Sequence, residues 1–222
     1  MKLPLSDRLL ACAGFVNPGD RVADIGCDHG YLGIYLLQQK IASHVIASDV
    51  VPGPLQAARR NAEKYGFSEH MTFVLSDGVA SVPRDFDTLV CAGMGADTMT
   101  GILSAAPWLQ SAQYRLILQC QSKTPTLRGY LSHSGWHIAK EAVLRDGRFL
   151  YTVMEVLWEP DTHPPLTEAE CYLSPALLQT PSPELSAYCN RVVDGLRTAA
   201  VHKKELQPLL DQLAAIAQEV SV

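Results

Sequence analysis

Two glycines and a carboxylate follow the first apolar run of the chain. Residues 22–32 pass from an apolar strand pattern through Gly26 and Gly30 into a helical pattern. Glycine has no Cβ, so a ligand can approach the backbone there, and the start of the helix offers free N–H groups. A dinucleotide-binding turn, G-x-G-x-x-G, needs a glycine where this chain has Asp28. Because a carboxylate repels a pyrophosphate and attracts an ammonium or sulfonium group, the turn favours a cationic ligand.

Carboxylates also end the next two predicted strands. Asp49 lies 23 residues after Gly26, and an acid at about that distance commonly binds the ribose hydroxyls of an adenosine. Asp77, in Ser76-Asp77-Gly78, ends the third strand, where a side-chain oxygen can accept a hydrogen bond from an adenine amino group. Each acid alone fits a helix cap or a turn equally well. Together with the glycine turn, at three successive strand ends, they predict a pocket for S-adenosylmethionine.

The predicted cofactor site also includes the neighbours of these residues. It consists of Asp24, Gly26, Cys27, Asp28, His29, Gly30, Asp49, Val50, Asp77, Gly78 and Val79. Gly93-Met94-Gly95 follows the fourth predicted strand, and its bare backbone could hold an acceptor base by main-chain hydrogen bonds. The same three residues also fit a plain strand-to-helix turn. We place the acceptor site here and assign Asp28, Gly93, Met94 and Gly95 as the candidate catalytic residues.

The elements that position these residues are short apolar runs that alternate with helical patterns. This alternation is typical of a parallel α/β sheet. We predict seven strands, at 21–24, 44–49, 71–75, 88–92, 115–119, 136–143 and 149–158, with helices at 32–39, 54–65, 97–106 and 124–134. A turn signal at 145–148 predicts that the last two strands form an antiparallel hairpin. The expected fold is therefore an α/β, Rossmann-like class I methyltransferase sheet. The strand count alone leaves other mononucleotide-binding folds open.

The character of the chain changes near residue 160. The stretch 159–165 has the composition of a linker, and no strand pattern follows it. Apolar residues then recur at helical spacing over 185–199 and 206–220, which predicts two antiparallel helices that reverse near 202–207. Pro208 fits only in the first turn of the second helix. We predict a methyltransferase domain over 1–160 and a small C-terminal helical, coiled-coil-like domain over 161–222.

Composition excludes several classes of protein. With 222 residues, 47% hydrophobic and 18% charged, the chain is typical of an ordinary globular protein. No apolar run is long enough to cross a membrane, and Asp7 and Arg8 interrupt any N-terminal signal, so we expect a cytoplasmic protein without a membrane partner. The six cysteines form no C-x-x-C pair, which predicts reduced thiols and no metal site. A monomer is expected, and a dimer through the tail remains an alternative.

The net charge of −5 argues against a nucleic-acid ligand, since Lys and Arg must neutralise its phosphates. The acidity, however, is concentrated in the tail. Residues 1–160 carry 14 basic and 15 acidic side chains, whereas residues 161–222 carry 4 and 8. Lys123 and Arg128 follow the fifth strand at the site end of the sheet, so we rank them first for phosphate contact. The segment 202–204 ranks second.

The motifs around the predicted pocket also carry a family resemblance. Asp-Ile-Gly-x-Asp-His-Gly-Tyr-Leu at 24–32, Ala-Ser-Asp at 47–49, Gly-Pro-Leu at 53–55, Asp-Gly at 77–78 and Gly-Met-Gly at 93–95 resemble the TrmK family of bacterial tRNA (adenine-22-N1)-methyltransferases. The similarity extends to Leu127-Arg128, the terminal hairpin and the helical tail. It implies S-adenosyl-L-methionine as cofactor, S-adenosyl-L-homocysteine as product, tRNA as partner and N1 of adenine 22 as acceptor. Ala96 and Gln119-Cys120-Gln121 depart from the family pattern on the acceptor side.

The resemblance leaves several roles open. Asp28 is expected to stabilise the positive charge that forms on the base, or else to hold only the cofactor's amino group. His29 either orients the substrate or is structural. An unstacked base needs an aromatic platform, for which Tyr31 and Tyr151 are candidates, and Tyr151 fits core packing as well. The competing functions are a methyltransferase of a small molecule or protein, and a non-catalytic cofactor-binding protein whose tail is a dimerisation hairpin.

Overall fold

The computed structural model describes residues 3–220 and contains the predicted seven-stranded sheet. The strands are β1 (Arg21–Ile25), β2 (His44–Asp49), β3 (Met71–Leu75), β4 (Thr88–Met94), β5 (Arg115–Cys120), β6 (Trp136–Asp146) and β7 (Phe149–Trp158). The helices are α1 (Asp7–Ala13), α2 (Tyr31–Gln38), α3 (Pro52–Tyr65), α4 (Ala96–Ser104), α5 (Thr124–His133), α6 (Glu168–Tyr172), α7 (Pro175–Leu178), α8 (Leu185–Ala200) and α9 (Gln207–Val220). The prediction of strand number and class is confirmed.

The strand order is β3-β2-β1-β4-β5-β7-β6. Strands β1 to β5 are parallel, and β7 is antiparallel to both β5 and β6, which confirms the terminal hairpin. The order reverses between β1 and β4, and the crevice beyond the carboxyl ends of strands at such a reversal is where open α/β sheets bind ligands. Strand β6 runs to Asp146, three residues beyond the predicted end at 143.

Both faces of the sheet are covered, which explains the continuous apolar runs of the central strands. Ile25 and Leu116 belong to one buried cluster with the side chains of α4 and α5. Val22 and Val45 belong to the other, with α1, α2 and α3. Helix α1 was not predicted. It begins after Ser6, whose side chain accepts a hydrogen bond from the backbone N–H of Leu9.

The tail contains the two predicted long helices, α8 and α9, and Pro208 lies in the first turn of α9 as expected. Two short helices that were not predicted, α6 and α7, connect them to the sheet. A third buried cluster joins Val143 and Leu150 of the hairpin to Leu177 of α7 and to α8 and α9. The tail therefore packs on the hairpin, and the domain boundary at residue 160 remains a prediction.

The position of Arg128 contradicts the prediction that this residue contacts an RNA phosphate. Its side chain is 0% exposed, and its Nη2 lies 2.7 Å from Oε1 of the equally buried Glu141. Its Nη1 donates to the backbone carbonyls of Cys171 at 2.9 Å and Tyr172 at 2.7 Å. An enclosed guanidinium with these partners cannot reach a phosphate, so the predicted phosphate contact is wrong. Arg128 instead connects α5 and β6 to the start of the tail.

The six cysteines are free, and all except the half-buried Cys171 are buried. Burial raises the pKa of Cys12 and of Cys91 to about 12, so these thiols stay protonated and unreactive at neutral pH. Over residues 3–220, no helix has both the length and the apolar character that a membrane span requires.

Candidate functional site

One cavity of about 790 Å³ opens at the carboxyl ends of the parallel strands, where β1 and β4 are neighbours. Most of the predicted site residues line it: Asp24, Gly26, Cys27, Asp28, His29, Tyr31, Asp49, Val50, Asp77, Gly78, Val79, Gly93 and Met94. Gly30 and Gly95 belong to the same turns but do not line the cavity. The structure thus brings three parts of the chain together around a single space. They are the glycine turn (residues 26–30), the strand-end acids Asp49 and Asp77, and the acceptor loop (residues 93–95).

The glycine turn and the acceptor loop meet at Gly26. Its φ is +74°, and a Cβ added there would lie 2.4 Å from Cε of Met94. Its backbone N–H donates to the carbonyl of Ser48 at 2.9 Å, which holds the turn against the end of β2. Gly30 has φ +72° and allows α2 to start against Ala58 of α3. A Cβ added at Gly30 would lie 2.9 Å from the Cβ of Ala58. Both glycines are therefore required by close approach as well as by backbone angle.

Asp24 has a buried carboxyl oxygen that no hydrogen bond from the described chain satisfies. It is 4% exposed and lines the cavity, and its Oδ2 has no hydrogen-bond partner among the described residues. Burial, with a further contribution from the charge of Asp49, raises the pKa of Asp24 to about 7. A buried carboxylate without a partner is costly, and a ligand that brings a positive charge removes that cost. Asp24 therefore marks a place for an ammonium group.

The carboxylate of Asp49 accepts backbone hydrogen bonds from two loops beside the cavity. Its Oδ1 accepts from the backbone N–H of Val51 at 2.8 Å, and its Oδ2 accepts from that of Asp28 at 3.2 Å. A carboxylate has about four lone-pair sites, so two remain for a ligand diol. The position and chemistry of Asp49 fit the predicted contact with a ribose.

The far end of the cavity is largely apolar. Val79, Ile102, Ala105 and Trp108 line it, with Asp77 at the exposed rim. Gly78 has φ +52°, and a Cβ there would lie 2.9 Å from Cγ1 of Ile102. This apolar slot, with a carboxylate at its rim, suits a purine ring and its exocyclic amino group.

Arg8 is a cavity residue that the sequence analysis missed. Its Nη1 donates to Oε1 of Gln119 at 2.8 Å, and the backbone N–H of Gly93 donates to the same oxygen at 3.1 Å. Gln119 is fully buried, so α1, the acceptor loop and β5 are fixed to one another through its amide. Ser6 signals the start of α1, but no local signal pairs Arg8 with a residue 111 positions away.

The rim on the acceptor side is polar and open. Asp28 has a φ of +50°, and its side chain is 72% exposed, with Oδ1 3.5 Å from Nε2 of His29. The rings of His29 and Tyr31 lie 6.0 Å apart. Nζ of Lys123 lies 2.5 Å from Oδ2 of Asp97, which itself lines the cavity, so Lys123 is at the rim. Except for the half-buried Tyr31, these side chains are exposed at the mouth of the cavity.

Two further predictions concern residues outside the cavity lining. Gly95 is the N-cap of α4, and a Cβ there would meet Oγ of Ser122 at 2.8 Å. Tyr151 lies half-buried on the hairpin beside Phe149, with ring centroids 6.1 Å apart. Tyr151 is thus not brought to the cavity, and it belongs to none of the three buried clusters, so its core-packing role stays a prediction.

The lining fits S-adenosylmethionine group by group. Asp24 is suited to the ammonium group, Arg8 to the carboxylate, Asp49 to the ribose diol, and the apolar slot at Ile102 and Trp108 to the adenine. The close approaches at Gly26 and Gly78 leave the backbone free of side chains where such a ligand would lie. The fold and the cavity together define a class I methyltransferase, and a model of the methyltransferase-domain family matches residues 5–154.

Comparison with known proteins gives a narrower assignment. The tRNA (adenine(22)-N(1))-methyltransferase of Bacillus subtilis is 32% identical over 154 residues, which is 69% of this chain and 65% of that protein. A putative tRNA methyltransferase of Mycoplasma pneumoniae is 32% identical over 70% of this chain and 71% of its own. The crystal structure of a putative tRNA (m1A22) methyltransferase from Streptococcus pneumoniae has a TM-score of 0.84 at 30% identity, covering 97% of this chain and 99% of its own. The chain belongs to the TrmK family of bacterial tRNA (adenine-22-N1)-methyltransferases.

Proposed function

We propose that this protein transfers a methyl group from S-adenosyl-L-methionine to N1 of adenine 22 in tRNA. The observation that carries the proposal is the buried Asp24 carboxyl, whose Oδ2 has no hydrogen-bond partner among the described residues, in a cavity whose other groups match the remaining parts of that cofactor. The names of the relatives support the acceptor, and a second Streptococcus pneumoniae structure, at 30% identity and TM-score 0.83, is described as a complex with S-adenosyl-L-methionine.

We assign binding of the cofactor to three charged side chains of the cavity, Asp24, Arg8 and Asp49. Asp24 and Arg8 carry opposite charges on the cavity wall, so together they suit the zwitterionic amino-acid end. Asp49 holds the diol while its other lone pairs keep the loops of Asp28 and Val51 in place.

The chemistry needs little acid or base assistance. When bound, S-adenosyl-L-methionine supplies a methyl group on a sulfonium, and adenine N1 has an in-plane lone pair that needs no prior deprotonation to accept it. The residues of the chain therefore contribute alignment and electrostatics. Gly93 and Met94 form the wall beside the glycine turn, with the Gly93 N–H fixed by Gln119. Asp28 supplies negative charge at the rim, where the methylated base becomes cationic.

Entry of the base requires it to leave its stack in the folded RNA. Tyr31 and His29 lie side by side at the rim and offer ring faces to an extruded purine. Lys123 lies on the same rim and is 62% exposed, so its ion pair with Asp97 is weak enough to exchange for a phosphate. The acceptor rim therefore combines aromatic and cationic contacts for RNA.

Incubation with unmodified bulk tRNA and S-adenosyl-L-methionine, followed by nucleoside analysis, tests the proposal. We expect N1-methyladenosine to accumulate in the tRNA, most rapidly at low salt because the basic footprint is small. A methylated product outside the RNA fraction, or no methyl transfer by protein that binds the cofactor, would contradict it.

A further inference from the structure

A second cavity, of about 580 Å³, lies at the opposite end of the sheet from the cofactor site. It is bordered by the start of β6, the segment after β7 and the short helices α6 and α7. Strand β7 runs antiparallel to β5, so the end of β7 and the start of β6 are at the amino ends of the parallel strands. This cavity is thus separate from the methyl-transfer site.

Three side chains that commonly bind metals converge on this cavity. His137 belongs to β6, Glu159 follows β7, and His163 lies in the linker. The two imidazole rings are stacked, with centroids 3.7 Å apart and planes 16° from parallel. Nε2 of His163 lies 3.1 Å from Oε2 of Glu159. One ligand atom from each of the three residues lies within 4.8 Å of the other two.

The charge around these side chains favours a cation. Three carboxylates, Glu159, Asp161 and Glu170, line the cavity, and no Lys or Arg is among its described lining residues.

We propose that His137, Glu159 and His163 form a binding site for a divalent transition metal, with Zn²⁺ as the best match. Two imidazole nitrogens and one carboxylate oxygen are a donor set that Zn²⁺ accepts, with bonds of about 2.0–2.2 Å. Such bonds require ligand atoms about 3–4 Å apart, so small side-chain rotations from the present separations bring the three donors into position. The open side faces the cavity, where water completes the coordination.

Metal binding to these three side chains would fix the linker, residues 159–165, to the edge strand β6 of the sheet. The linker residues 159–165 connect the hairpin to the tail, and His163 is the ligand that lies farthest along it. We expected no metal site because the chain has no C-x-x-C pair. That pattern concerns cysteine ligands, whereas the present site is built from histidine and glutamate. We expect bound metal to stabilise the folded protein in proportion to the logarithm of its concentration relative to the dissociation constant.

Calorimetric titration with ZnCl₂ at about pH 7.5 tests the site, on tag-free protein stripped with a chelator. We expect one Zn²⁺ per chain, and a dissociation constant weakened at least about tenfold in His163→Ala, because a direct ligand is lost. His202→Ala removes an exposed histidine outside the cavity and should leave binding unchanged. His163 is exposed, so its loss should not unfold the protein, and circular dichroism checks this.

Absorption of the Co²⁺-loaded protein gives a second measurement. Visible bands of four- or five-coordinate Co²⁺ should appear in the wild type and in His202→Ala, and disappear in His137→Ala and His163→Ala. Absence of Zn²⁺ binding in the wild type would overturn the proposal. So would binding of the same stoichiometry and affinity in His163→Ala, since the metal would then be held elsewhere, as by the cysteines.

Discussion

Asp24 links the chemistry of the cofactor cavity to the stability of the protein. Its carboxyl has a pKa of about 7 in the folded chain, against 3.8 for an unperturbed aspartate. Between these pH values the folded state binds more protons than the unfolded state. The free energy of unfolding of the cofactor-free protein therefore falls, through this group, as the pH rises from about 4 to about 7, and its contribution is constant above that window.

The variant Asp24→Asn should bind the cofactor about 10- to 100-fold more weakly, because a hydrogen bond to a charged group is lost. In the wild type, affinity should decrease as the pH falls below about 7, since the protonated carboxyl must then lose a proton to pair with the ammonium group. This pH dependence should be absent in the variant.

Calorimetry between about pH 6 and about pH 8.5 measures both effects. At about pH 8 the cofactor-free Asp24→Asn should also have the higher Tm, because no buried charge remains beside Asp49. Asp211→Asn, which changes an exposed aspartate of α9, is the matched control and should alter neither quantity. Wild-type affinity in Asp24→Asn would show that Asp24 does not hold the ammonium group.

Asp28 tests the electrostatic part of the mechanism. Asp28→Asn should lower the single-turnover rate of methyl transfer about tenfold while retaining most of the cofactor affinity, since the methylated base, and not the cofactor, is proposed to lie against this carboxylate. Single-turnover kinetics and a separate binding titration distinguish the two quantities. An unchanged rate would refute the charge-stabilising role, and a loss of affinity alone would assign Asp28 to the cofactor's amino group.

Residue types and spacing were sufficient to predict the groups that follow the strands directly. Asp49 is the last residue of β2, and Asp77 is the second residue after β3. A correct strand prediction therefore brings both residues to the cavity. Arg8 and Gln119 were missed because their contact depends on how α1 lies over the sheet. Arg128 was misplaced for a related reason: its partner Glu141 lies on the next strand, and only the packing of the tail encloses the pair.

At the scale of the elements, the site depends on the β1–α2 turn and the β4–α4 loop coming into contact. Gly26 makes this contact possible, and no Cβ can be accommodated unless Met94 moves. The amphipathic pattern predicts which elements exist but does not predict how closely two loops approach. The short helices α6 and α7 were also missed, because segments of five and four residues are too short to show a helical period.

Comparison of Gly26→Ala with Gly66→Ala separates close approach from backbone strain. Both glycines have positive φ, +74° and +79°, so each variant should lose about 1 kcal/mol of stability. A Cβ added at Gly66 would meet no neighbouring atom of the described residues within 4 Å, whereas one added at Gly26 would meet Met94. We expect a large loss of methyl transfer, about tenfold or more, only in Gly26→Ala. Equal activity in the two variants, measured at matched folded fraction, would contradict the proposed contact.

At the scale of the whole molecule, the acidic charge belongs mainly to the tail and does not prevent binding of RNA at the cavity rim. Lys123→Glu should weaken tRNA binding about tenfold at low salt and reduce the salt dependence, while cofactor affinity is unchanged. Lys40→Glu is the matched control, because Lys40 is also exposed with a φ of +57°, close to the +58° of Lys123, but precedes β2 at the other end of the sheet. Filter binding at several salt concentrations measures both.

An equal loss in the two lysine variants would indicate a nonspecific effect of charge. No loss in Lys123→Glu would move the RNA path away from this rim and towards residues 202–204 of the tail. The buried Arg128 should not be used for this test, since its removal leaves Glu141 without its cation and destabilises the fold.

Methylation of one defined base, adenine 22, is tested most directly with a pair of tRNA transcripts. One transcript has adenine at position 22 and the other has guanine there, with the same fold. After reaction with S-adenosyl-L-methionine, fragment mass mapping should locate a single N1-methyladenosine at position 22 of the first transcript and no methyl group in the second. Equal methylation of both transcripts, or of neither by protein that binds the cofactor, would contradict the assignment.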